Sequence, residues 1–177
     1  VTGLGIGILA LLLLAVVRVD LLESWRDTLP AGAPNHFLIN IQPHEVAPLT
    51  AFLGESGIQT PRLYPMIRGR LVRINAQTLD PTSYQNPRAE QLATREFNLS
   101  YGEHPQPDNR ILSGSWWSGA DAPPQLSVEQ GIAETLGIAL GDELTFWVSG
   151  HEVSGRVTSL REVQWDSFNV NFFVTAS

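Results

Sequence analysis

The sequence contains no cysteine and no lysine, so every one of its eleven basic side chains is an arginine. Without cysteine there is no thiol nucleophile, no disulfide and no thiolate metal site. Without lysine there is neither Schiff-base chemistry nor a Walker A phosphate loop. Basic excess is missing too. The net charge is -7, so no basic excess exists to neutralise phosphates and nucleic acid is not an expected partner. Charged residues are only 16% of the 177 residues, and they are unevenly placed. Residues 1–17, VTGLGIGILALLLLAVV, hold none of them. The mean hydropathy of -0.02 therefore averages two unlike parts.

The apolar head reads as a helix spanning about 25 Å, slightly short of a ~30 Å hydrocarbon core. The chain begins with Val1, and its one methionine is Met66; a fragment of a longer protein is expected. A signal peptide needs a basic flank and a small-residue cleavage site, and the head has neither. Seventeen uncharged residues are long for a buried soluble helix. The reading adopted is a transmembrane helix. Gly3, Gly5 and Gly7 are not a dinucleotide loop, because no strand precedes them. Gly3 and Gly7 instead fit small-xxx-small packing against another membrane helix. No breaker interrupts residues 18–29, where Leu22, Trp25 and Leu29 recur at helical spacing, so the helix is expected to continue as a stalk-like extension. Domain boundaries follow: residues 1–29 as transmembrane helix and extension, residues 30–177 as one domain.

Within 30–177 the pattern mixes strands and helices, and the fold class is α+β. Pro30 and Pro34 mark a break. Phe37, Ile39 and Ile41 alternate as a strand. Val46, Leu49, Phe52 and Leu53 form a helical stripe. Residues 62–76 read as one long strand whose alternation changes parity from Arg70 to Val72, predicting a bulge or a twist at Gly69. This strand–helix–strand unit is the best-defined local structure. Residues 79–95 are loop or short helix, and Phe97, Leu99 and Tyr101 alternate as a strand. Ser127, with Gln130 three residues on, predicts a helix start, and Gly137 its stop. A hairpin is expected about Ser149-Gly150, and a closing strand over 163–174.

No constellation carries catalysis. Gly54-Glu55-Ser56-Gly57 lacks the second glycine that a nucleophile elbow needs, since Ile58 stands there. The four histidines never fall at metal-ligand spacing. Catalytic, cofactor and metal residues are expected to be absent. Arg68, Arg70 and Arg73 form the one basic cluster, either an anion contact or an exposed or edge strand salt-bridged to nearby acids. Trp116, Trp117, Trp165 and Phe168 are either cargo or partner contacts or core. Of the arginines, Arg68 and Arg70 are carried as candidate contacts with the aromatics.

Taken in order, DLLESWRDTLP, NHFLINIQP, PMIRGRLVRIN, SGSWW, LSVEQGIAETLGIALGDELTF and SLREVQWDSFNVNFFV resemble the FtsX/MacB-type ABC transporter permeases. The likeness is nearest to the YbbP-like permeases and more distant to the LolC/LolE group. It implies that residues 30–177 are a periplasmic, MacB-like core domain with a porter-like strand–helix–strand unit. The head would be the inner-membrane helix that precedes it, packed among the permease's other transmembrane helices. It further implies a separate cytoplasmic ATPase subunit that binds ATP, with no cofactor in this chain, and a cargo or periplasmic partner. Two rival readings are a membrane-anchored binding or sensor domain without an ATPase, and a membrane-tethered hydrolase.

Overall fold

The computed structural model describes residues 2–28, 36–119, 124–167 and 169–177, and the chain divides into two units, Val1–Asn40 and Ile41–Ser177. In the first, helix α1 runs without interruption over Thr2–Thr28. It passes through Arg18 and Asp20 because no proline or helix-ending glycine stands there. Its described apolar side chains are exposed, among them Ile6, Leu11, Leu14, Val17 and Leu21. Among the described residues no helix is long and apolar enough to cross a membrane; in α1 the described side chains fall in two runs, 5–9 and 11–21. The side chains of Leu22 and Trp25, the whole of Leu29, and the surroundings of Gly3 lie outside the described residues.

The strand expected at Phe37, Ile39 and Ile41 does not form. Residues 36–42 carry no ladder, and Ile39 is 84% exposed. The reason is local: Asn40 adopts φ 61°, a left-handed conformation that Asn tolerates and that breaks the extended alternation between Ile39 and Ile41. The strand–helix–strand unit therefore lacks its first strand.

In the second unit a single 3-10 turn, Pro43–Glu45, leads into helix α2, Val46–Glu55. The Glu45 carboxylate accepts the Gln42 backbone N–H at 2.9 Å and closes the entry. Of the predicted stripe only Leu53 is buried, while Val46 and Phe52 are exposed. Strand β1, Ile67–Ile74, is shorter than the 62–76 expected, and β2, Gln77–Thr78, folds back on it. Helix α3, Pro87–Thr94, starts at Asn86, whose side chain accepts the Arg88 N–H. Then come β3, Phe97–Tyr101; β4, Asn109–Gly114; β5, Gln125–Glu129; α4, Gln130–Leu136; β6, Glu143–Val148; β7, His151–Val163; and β8, Val174–Ala176.

Six strands close on themselves. β1 pairs β3, β3 pairs β8, β8 pairs β5, β5 pairs β7, β7 pairs β6, and β6 returns to β1. The result is a barrel, with β2 and β4 hung on its outside. The β3–β8 and β5–β7 pairs are parallel and the rest of the ring antiparallel. The parity change read in the sequence is present as a register shift, but between Leu71 and Arg73 opposite β6 rather than at Gly69, which stays in register with Phe97. The hairpin turn is Ser149 and Gly150, both at positive φ, the geometry that matches right-handed strand twist. Inside lie Leu71, Phe97, Val128, Leu144, Phe146 and Val157, capped by Leu92 and Ala93 of α3 and by Ile132 and Leu136 of α4.

Two further expectations change. Ser127 does not begin a helix: it is buried within β5 between Leu126 and Val128. The true N-cap is Glu129, whose carboxylate accepts the N–H groups of Gly131 at 3.0 Å and Ile132 at 2.8 Å. Burial of Leu126 and Val128 in the barrel outweighs the local serine signal. The closing strand over 163–174 shrinks to β8, because the segment before it is held by side chains rather than by a ladder.

Candidate functional site

The side-chain knot of that segment centres on Arg161, which is 0% exposed. Its position in β7 is inescapable, since the strand alternates and Val157, Ser159, Arg161 and Val163 all face inward. Nε donates to Asn109 Oδ1 at 2.7 Å and Nη1 to the Ser127 carbonyl at 2.8 Å. Nη2 donates to the Phe172 carbonyl and, at 3.3 Å, to Thr175 Oγ1. One guanidinium thus ties β4, β5, β7 and β8 to the 164–173 segment. Burial pulls its pKa down to about 10, while the charge of Glu129 acts to raise it; it stays protonated at neutral pH. Asn109 Nδ2 passes the network on to Asn171 Oδ1 at 2.7 Å. Asn171 Nδ2 and Ser167 Oγ in turn donate to Asp108. Desolvation acts to raise the Asp108 pKa, but the hydrogen bonds from Ser167, Asn171 and Asn169 outweigh it and the net shift is downward. Apart from the Asp108 carboxylate these partners are neutral, and the knot organises the fold by tying four strands to one segment. The sequence reading passed over Arg161; its inward parity among apolar residues was the available signal.

The predicted contact residues separate. Trp116 and Trp117 stack with centroids 3.9 Å apart. Both indole N–H groups are spent on backbone carbonyls, Trp116 on Glu103 at 2.9 Å and Trp117 on Gly102 at 3.0 Å. What remains to present is ring face. Trp117 is 7% exposed and forms one wall of a cavity of about 610 Å³ that Pro65, Tyr101, Glu103, His104 and Ser118 also line. That volume falls within the range of small-molecule sites. Trp165 is elsewhere, half-exposed against Phe173 at 4.6 Å. Phe168 lies outside the described residues.

Arg68 and Arg70 are exposed on β1, opposite in parity to the inward Ile67 and Leu71. β1 is no edge strand, being paired on both sides, so charge there does not serve to blunt an edge. Arg73 makes a bidentate pair with Glu152, Nη1 to Oε1 at 2.9 Å and Nη2 to Oε2 at 2.5 Å. That hydrogen-bonded pairing raises the Arg73 pKa and lowers that of Glu152. A Cβ at Gly7 would meet no atom within 4 Å, so its face of α1 is open. Among the described residues no group of three or more acidic or histidine side chains could hold a metal ion.

Comparison with known proteins gives one clear relation. The chain is 41% identical over 173 residues to the uncharacterised ABC transporter permease YbbP of Escherichia coli (strain K12). The alignment takes in 97% of this chain and 20% of that protein, so the chain spans about a fifth of the length of the relative it matches. The likeness to YbbP-like permeases drawn from the sequence is thereby supported over nearly every residue. No family model matches.

Proposed function

We propose that the chain is a segment of an inner-membrane ABC transporter permease, with its barrel on the periplasmic side. The observation that carries this is the 41% identity over 173 residues to a protein named as such a permease. Two features support it. Residues 1–17 carry no charge, and the described apolar side chains of α1 are exposed on this chain alone. A helix apolar on every side needs lipid or other helices around it. Moreover, α1 continues for 27 residues, about 40 Å, which suits a rigid connector between a membrane and a soluble domain. In this reading the segment is not an enzyme. A cytoplasmic subunit hydrolyses ATP, the membrane helices transmit its movement, and the barrel meets a cargo or periplasmic partner. Lipophilic or lipoprotein-like cargo is the favoured class.

The test is the full-length protein purified from membranes. Several apolar spans and a stable complex with an ATP-hydrolysing subunit are expected. A full-length protein with one apolar span and no such subunit would overturn the proposal in favour of a tethered binding domain.

A further inference from the structure

The barrel has two unlike ends. At one, Leu71, Phe97, Leu144 and Val157 are buried beneath α3 and α4. At the other the same inward rows continue into the open: Tyr101 is 56% and Val153 48% exposed, and Ile67 is open as well. Two inward positions there are glycines. A Cβ at Gly69 would sit 2.7 Å from Leu99 Cδ1, and one at Gly155 would sit 2.8 Å from Leu126 Cγ. The lumen is thus as narrow as side chains permit, and at this end it is left unfilled. A hollow of about 130 Å³ remains, walled by Leu99, Leu126, Phe146, Val148 and Val174 with almost no polar group. Tyr101 is also a wall of the larger cavity beside Trp117. One space is narrow and aliphatic, the other wider and aromatic, and Tyr101 lines both.

We infer that this open end is a binding site for an amphiphile with one aliphatic tail and a head lacking net negative charge. The narrow hollow admits a single alkyl chain and offers it no hydrogen bond, so only an apolar segment gains by entering. The wider cavity suits the head. Its walls hold Glu103 and His104 with the aromatic residues Trp117 and Tyr101, and no arginine is among its lining residues. A carboxylate with aromatic faces favours an ammonium-like or neutral group and repels sulfate or phosphate. The inference deepens the reading of the barrel as the part that meets lipophilic cargo and rests on it. The two remain separable, because the ATPase test concerns the full-length protein and this one the chain alone.

The experiment titrates the 177-residue chain with alkyl trimethylammonium and alkyl sulfate probes below their micellar concentrations, following tryptophan fluorescence. The hexyl ammonium probe should bind at least about tenfold more tightly than the ethyl, since each buried methylene adds to affinity. Val153→Glu and Ile67→Glu, both on the exposed rim, should each abolish that gain while circular dichroism shows the fold intact. Trp147→Glu, on the outer face of β6, should retain it. Helix α1 is common to all variants, so its own affinity for alkyl chains cancels. Unchanged tail-length dependence in both rim variants would overturn the site. Hexyl sulfate binding as tightly as the hexyl ammonium probe would overturn the choice of head.

Discussion

Helix α1 and the barrel satisfy their backbones in opposite ways. α1 pairs each N–H with a carbonyl four residues back, so its order is local and its apolar side chains need take no part in it. They stand exposed on this chain. The barrel pairs residues far apart in sequence, such as Leu99 with Val174 and Arg70 with Trp147. No one of its strands is stable until the ring closes. One region is therefore open to whatever surrounds it, and the other is completed by itself.

The comparison can be broken at the barrel with the largest effect. Arg161→Ala removes donors from Asn109, Ser127 and Phe172 and leaves buried acceptors without partners. A loss of about 3 kcal/mol or more is expected, read as a fall in the urea midpoint of the barrel. The helical signal of α1 should persist after the barrel has melted. Joint, single-step loss of both signals would show that the two regions are not separable.

Breaking α1 instead should spare the barrel. Leu22→Pro removes one intrahelical hydrogen bond and costs about 3 kcal/mol of helix stability. On the proposed permease reading, transport by the full-length protein should be uncoupled, while the barrel's thermal midpoint stays within about 1 °C. Wild-type transport in this variant would remove α1 from the coupling path.

The smallest effect separates the regions by pH. Asp108 is held below its ordinary value of 3.8 in the folded barrel. Its contribution is therefore complete above that value and is lost as pH falls through the lower folded value. Solvent screening keeps it below about 1 kcal/mol. Asp108→Asn should destabilise the barrel slightly at neutral pH and progressively less below pH 3.8. A wild-type advantage that grows in acid would contradict the hydrogen-bond assignment.

Legibility in the sequence followed the same division. The continuous helix, the shift after Leu71, the Ser149-Gly150 hairpin and the stop at Gly137 are each set by a few neighbouring residues, and all are present. Failures came where a distant partner decides. Ser127 has a local helix-capping pattern, yet β7 draws it into the sheet and Ser159 donates to its hydroxyl at 2.8 Å. Residues 37–41 alternate correctly and find no ladder among the described residues. Of the candidate contacts, Trp116 and Trp117 come together because they are neighbours in the chain. Trp165 went to Phe173, a choice of tertiary packing.

By itself, the sequence determined the chemistry available and the split between an uncharged head and an acidic domain. Absent lysine and cysteine closed off whole reaction classes, and a 17-residue uncharged run set the head apart from the charged remainder. These are properties of composition, and folding cannot alter them. Only the tertiary structure decided that six strands close, that Arg161 becomes their buried tie, and that one end of the lumen stays open beside Tyr101. Closure depends on pairs far apart in sequence, such as Arg70 with Trp147 and Leu99 with Val174. No local pattern carries that information, because a strand's alternation specifies which face is apolar and not which strand will cover it.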